Sequence, residues 1–356
     1  MRTRVHPLIV KESYGKCPQE IKNYLDSVVS TGEYQGKTYL DLIMFGSIVE
    51  DDGKVESDVQ SPVIDNPVLE KALKSHQIKY LHWVEHFWSP ELTDGLIIRT
   101  SYFRQIIGEV FGWDNLLPDA VNLAEQKIAD TFVSLIKGDE ILVKFRSAPE
   151  RADEYWEIIK KQYRDGEHER ALVNLGRVCH LLADVGTPAH VHGDAHIGYS
   201  IVGTIIKNAE IKYNTAIDDD DYEDYVAEVL DKSADLPDFA GDEYAKRKEL
   251  PKRWCSKEED GMIFDSDWSL RQYFLRVGET ARMYDSDNVD GKGKGRPYRW
   301  QRYYIFNPLK YISMDRDMNN DLTDKACDCI ASYLIPLSIR ATAGVIAKFF
   351  YEIASE

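Results

Sequence analysis

The chain has 356 residues, 43% hydrophobic and 29% charged, a composition that allows a sizeable core and excludes disordered, collagen-like and disulfide-scaffold classes. Its 44 basic and 61 acidic residues give a net charge of −17, a field that repels polyanions, so any phosphate it binds needs local positive charge. The five cysteines, Cys17, Cys179, Cys255, Cys327 and Cys329, are scattered and odd in number, and form neither a zinc ribbon nor a disulfide framework.

Helical periodicity dominates and strict alternation of β-branched residues is scarce, which predicts an all-α protein. The opening MRTRVHPLIV contains no apolar run long enough for a signal peptide. The expected localisation is therefore secreted or periplasmic if a leader has been removed, and otherwise cytoplasmic. Glu50 to Pro62 reads as a loop. In KYLHWVEHFWSP, His82 and His86 are four apart, and Trp83, Phe87 and Trp88 are placed either to pack in the core or to wall a pocket.

Val121, Ala124, Ile128, Phe132 and Leu135 predict a helix from Val121 to Lys137 that stops at Gly138. Leu172, Leu175, Val178, Cys179 and Leu182 predict a second from Glu169 to Asp184, ended by Gly186 and Pro188. An excursion at about 197–218 and the acidic run Asp218 to Asp221 follow, and GKGKGRP from Gly291 to Pro297 reads as a loop. The last long helix begins near Asp321, and Pro336 either kinks it or marks its true start. Arg340, Lys348 and Glu352 interrupt its apolar stretch, so no transmembrane segment is expected. No repeat and no shift of composition divides the chain, which predicts a single domain over residues 1–356.

The informative feature is HLLADVGTPAHVHGDAH, which places His180, His190, His192 and His196 beside Asp184 and Asp194. His180 and Asp184 are four apart on one helical face, and Pro188 turns the chain so that His190 returns toward the same end. Imidazole with carboxylate suits zinc. Taken alone, such a pair is more often a solvated surface feature.

ALVNLGRVCHLLADVGTPAH resembles the metal-binding helix of the zinc-dependent phospholipase C and S1/P1 nuclease superfamily, with its A-x3-LG stretch, HxxxD, proline and second histidine. EHFWSPELTDGL, GSIVED, VHPLIV, DDDYEDYVAE and the R-x-TAG of SIRATAGVIAKFF resemble further segments of that family in the same order. The resemblance implies an all-helical fold with three zinc ions at the base of a cleft. Asp51, His86, His180 and Asp184 would hold one ion, His190 and Glu223 would contribute to a second, and His6 would serve the third with Asp184 bridging. The family completes the third site with its first residue, a tryptophan, and here Met1 stands five residues before His6. If that site is degraded, two ions are expected. Asp219 stands where the phospholipases have a histidine ligand; Asp219, Asp221 and His196 are the alternatives for that position, and His196 is closest in kind.

The implied activity is phosphodiester hydrolysis by a metal-activated hydroxide, with Asp51 assisting as general base. Trp83 resembles an aromatic of the choline pocket, and with Phe87 it makes the expected substrate pocket. A phospholipid or another phosphodiester is the expected substrate, and no obligate protein partner is indicated. GYSIVGTII is apolar enough for membrane-surface contact and too short to span a bilayer. Two alternatives stand beside this reading. One is an S1/P1-type nuclease acting on single strands or nucleotides. The other is a non-catalytic metal-binding or interaction protein, motivated by Asp219 and the altered first residue.

Overall fold

The structure, a computed structural model, describes residues 5–51, 57–59, 63, 85–90, 95, 97–99, 142–192, 221–231, 249–284, 286, 314–315, 317 and 322–354. Within these, the helices are α1 (Val5–Lys16), α2 (Gln19–Leu25), α3 (Tyr39–Val49), α4 (Ala148–Arg164), α5 (His168–Asp184), α6 (Pro188–His192), α7 (Asp221–Asp231), α8 (Leu270–Ala281) and α9 (Asp324–Ala354). Among the described residues the architecture is all-α apart from one antiparallel ribbon, β1 (Ile97–Arg99) with β2 (Leu142–Lys144), in which Ile98 pairs with Val143. Three-residue strands are too short to leave an alternating pattern in the sequence.

Local chemistry sets the helix starts. α3 and α4 each open on a capping box, Thr38 with Asp41 and Ser147 with Glu150, so that orphan amides of the first turn are satisfied before the chain packs. α4 is turned into α5 at Gly166, whose φ of 86° lies in the left-handed region that closes a helix C-terminus. Asp221, read in the sequence as part of an acidic loop, instead opens α7.

α5 is the centre of the assembly and packs against α1, α3, α4, α8 and α9. Its predicted stripe of Leu172, Leu175, Val178, Cys179 and Leu182 is fully buried, at about 1.5–3 kcal/mol for each large aliphatic removed from water. The approach to α3 is backbone to backbone. A Cβ on Gly176 would lie 2.1 Å from the Ile43 carbonyl oxygen, and one on Gly46 would lie 1.8 Å from that of Val173. Two glycines facing each other are what admits the contact.

α9 begins at Asp324 and runs unbroken past Pro336, so the proline is not its start. By length and composition alone α9 could cross a bilayer. It packs instead among α1, α4, α5, α7 and α8, and its buried Lys348 pairs with Glu352 at 2.6 Å. The R-x-TAG segment has a packing reason. Arg340 Nε donates to the Gly261 carbonyl at 2.8 Å, the Ile263 amide donates to the Arg340 carbonyl, and Gly344 leaves room for the Ile263 carbonyl, 1.8 Å from where a Cβ would stand. The predicted helix from Val121 to Lys137, the excursion at 197–218 and the GKGKGRP loop lie outside the described residues.

Candidate metal centre

Three parts of the chain meet at the C-terminal end of α5. α5 supplies His180 and Asp184 one turn apart. The end of α3 supplies Asp51, just beyond the cap residue Glu50, and a short turn at residues 85–86 supplies His86. Four atoms converge. His86 Nδ1 is 2.8 Å from Asp184 Oδ2 and 3.6 Å from Asp51 Oδ1. His180 Nε2 is 3.0 Å from Asp184 Oδ2, 3.3 Å from Asp51 Oδ1 and 3.3 Å from His86 Nδ1. Tetrahedral ligands about 2.1 Å from a metal ion lie about 3.4 Å apart, so these five separations are of the size that a four-ligand metal site requires.

The tautomers agree with that reading. His180 Nδ1 donates to the Ser47 carbonyl at 2.7 Å, which turns Nε2 toward the carboxylates of Asp51 and Asp184. A cation belongs between Nε2 and the two anions, a proton or a metal ion, and a histidine ligand held through its other nitrogen by a backbone carbonyl is the usual arrangement in metal sites. The Gly46–Gly176 contact makes this hydrogen bond possible, because Ser47 follows one glycine and His180 is one turn beyond the other.

Asp184 serves both sides of the centre. Its Oδ2 belongs to the four-donor set, while Oδ1 is 3.3 Å from His6 Nε2, and the His6 ring stacks on His180 at 3.8 Å. On a further side, His190 Nε2 is 3.2 Å from Glu223 Oε1, and His190 Nδ1 donates to the His86 carbonyl at 3.3 Å. The sequence-predicted His6, Asp51, His86, His180, Asp184, His190 and Glu223 thus come together in two donor pairs around one four-donor set. His196, Asp219 and Trp83 lie outside the described residues.

Phe87 lies against one of the donor histidines. Its side chain is buried, and its ring lies parallel to His190 at 4.6 Å. Helical spacing from His86 does not extend through this short turn, so the ring faces inward and supports a donor histidine. His192 points elsewhere, with Nε2 donating to the Tyr284 carbonyl at 2.8 Å.

Charge follows geometry. Burial works against ionisation of Asp184 and Asp51, but the surrounding histidines, His180 among them, hold Asp184 well below the usual carboxylate range and Asp51 below it. Burial likewise opposes protonation of His180 and His86, and the facing carboxylates overcome it, raising His180 well above its ordinary value and His86 more moderately. In His6 and His190 burial prevails and lowers the pKa, which leaves both rings neutral and ready to act as ligands. The Asp51 side chain is 24% exposed while those of His86, His180 and Asp184 are at most 2% exposed, so solvent meets the four-donor set at Asp51.

Sequence reasoning missed a layer of charge behind the donors. Glu50 accepts from Arg151 Nε at 2.6 Å, Arg177 Nη1 at 2.8 Å and the Tyr155 hydroxyl at 2.9 Å. Glu85 accepts from Arg151 Nη1 at 2.6 Å, Arg146 Nη2 at 2.9 Å and the Val63 amide at 2.6 Å. The available signals were an acid directly before a candidate ligand, in both Glu50–Asp51 and Glu85–His86, and Arg177 in the middle of an apolar helix.

No family model matches this sequence, and neither does any curated protein. Among solved structures, the alpha-toxin of Clostridium absonum is similar at 13% identity over 98% of this chain, with a TM-score of 0.40. The alpha-toxin of Clostridium perfringens, from avian strain SWCP, is similar at 12% identity over 99% of this chain, with a TM-score of 0.38. The chain spans 64% of the length of each toxin structure.

Proposed function

We propose that this chain is a metal-dependent phosphodiester hydrolase of the phospholipase C type. The observation that carries the reading is the four-donor set of Asp51, His86, His180 and Asp184, gathered within 4.8 Å from three separate parts of the chain. Zinc is the ion we assign to it. The pairs His6–Asp184 and His190–Glu223 are the places for up to two more ions, with Asp184 shared. Bound divalent ions supply the positive charge that acidifies water and neutralises a phosphodiester, which reconciles phosphate chemistry with a net charge of −17.

The protein's own groups do the rest. Asp51, ionised at neutral pH and open to solvent, accepts a hydrogen bond from incoming water and orients it toward phosphorus. Ser47 fixes the His180 ring, the His86 carbonyl fixes the His190 ring, and Phe87 keeps His190 from tilting. A choline-bearing phospholipid is the substrate we favour over single-stranded nucleic acid, on the position of Trp83 three residues before His86. A secreted or periplasmic setting accompanies this reading.

The test combines elemental analysis of the purified chain with hydrolysis of a chromogenic phosphodiester in added zinc. The expected result is bound zinc and turnover that a chelator abolishes. Absence of turnover across mildly acidic to alkaline pH, with zinc bound, would sink the hydrolase reading and leave a non-catalytic metal protein.

A further inference from the structure

Two of the four donors are not held by α5. Asp51 follows the end of α3 and His86 lies on a short turn 35 residues later in the chain. Their separation, 3.6 Å between Oδ1 and Nδ1, is the longest of the five donor contacts described above. Some device must set it, because the two segments are not neighbours in sequence.

The residue before each donor is a fully buried glutamate, and one guanidinium from α4 joins the two. Arg151 Nε donates to Glu50 Oε1 and Nη1 to Glu85 Oε2, both at 2.6 Å, while Nη2 donates to the Tyr155 hydroxyl at 3.2 Å. Tyr155 and Arg177 occupy the other oxygen of Glu50, and Arg177 stands three residues before His180 on α5. Arg146 joins Arg151 on Glu85 Oε2, and also pairs with the exposed Glu154. Desolvating so many charges is expensive, and an apolar cluster of equal volume is often at least as stable. The return on the buried ions is therefore geometric: a planar fork fixes two carboxylates in direction as well as distance.

We propose that Arg151 is a positioning residue of the metal centre, clamping Glu50 to Glu85 and so setting the distance between Asp51 and His86. The proposal rests on the metal reading of the four-donor set. Glu50 and Glu85 act as its handles, each passing the constraint through one peptide unit to the donor that follows.

The test is Arg151→Lys, which keeps the charge and loses the fork. Zinc affinity is measured by chelator competition well below the unfolding temperature, together with the visible absorption of bound cobalt(II), intense in four-coordinate sites and weak in six-coordinate ones. The expected result is a folded protein whose zinc affinity falls by about 10–100-fold, the range for lost supports of metal ligands, with a weakened cobalt band. Ile159→Val, in the same helix and away from the network, controls for lost stability and should leave both readouts unchanged. If Arg151→Lys fails to fold, Glu50→Gln with Arg151→Met removes one charge of each sign and is measured instead. A folded variant of either kind that binds zinc as tightly as wild type overturns the proposal alone, as does failure of both to fold. A wild-type chain that binds no zinc overturns the metal reading as well.

Discussion

Gly176→Ala tests whether the spacing of two helices controls the metal centre. The added Cβ would stand 2.1 Å from the Ile43 carbonyl oxygen and 2.8 Å from Gly46 Cα, where ordinary contact begins at 3.4 Å. α5 must therefore move from α3 by about 1.3 Å. The His180–Ser47 hydrogen bond, now 2.7 Å, would lengthen to about 4 Å and be lost. Overpacking costs about 1–3 kcal/mol, and alanine in place of a helical glycine returns up to about 1 kcal/mol. Net destabilisation is thus about 0–3 kcal/mol, a shift of a few degrees in Tm for a chain of this size. Metal affinity should suffer far more, by about 10–100-fold, because the freed ring no longer aims Nε2. Thermal unfolding in chelator and zinc competition give the two numbers separately. Zinc affinity within about twofold of wild type would refute the link between helix contact and ligand orientation.

Further outcomes are expected. His180→Ala should abolish both high-affinity zinc binding and phosphodiester turnover in the same preparation; turnover retained at wild-type level would reject the site assignment. Burial works against ionisation of Glu50, but Arg151, His86 and Arg177 together outweigh it and hold the carboxyl well below its ordinary value. Its contribution to stability is thus fully present above the ordinary carboxylate range and is lost as pH falls through its lowered folded-state pKa. Urea unfolding of Glu50→Gln should accordingly show a flatter acid limb than wild type, and superimposable limbs would count against the buried ion network. Thiol labelling of the native protein should reach exposed Cys329 quickly and half-buried Cys255 more slowly. Buried Cys17, pushed up to about 12, should react only on unfolding; rapid labelling of Cys17 would contradict the packing of α1 on α9. Phe87→Leu should lower affinity at the His190–Glu223 pair while leaving the four-donor set occupied, read as a loss of about one zinc ion by elemental analysis.

How much of this was legible in the sequence depends on the range of the interactions involved. The α5 stripe and the His180–Asp184 pair are local, set by helical period, and were read within one residue of the observed helix start. The all-helical class followed from the same periodicity. Gly186 and Pro188 were read as ending the helix at Asp184, which is where α5 ends, and Pro188 opens α6, the turn that carries His190. Convergence of Asp51, His86, His6 and Glu223 on that helix was reached only through the family resemblance, since no local rule joins residues so far apart in the chain. The stacking of Phe87 on His190 was illegible for the same reason: which ring an aromatic meets is decided by the turn that carries it.

The buried charges were the least legible part, and the reason is instructive about α5 itself. Gly176, Arg177, His180 and Asp184 occupy successive turns of one helix, and composition alone marks Arg177 as misplaced among Leu175, Val178 and Leu181. Its partner Glu50 is 127 residues away, so the pair reads as two errors of patterning until the fold brings them together. In the structure each polar residue on that side has a distinct task. Gly176 admits α3, Arg177 holds the glutamate beside Asp51, His180 turns Nε2 to the centre, and Asp184 joins the four-donor set to His6. A helix buried on all sides would ordinarily be apolar on all sides. Here the exceptions lie along the line that leads to the candidate metal, and they carry the hydrogen bonds that set its donor geometry.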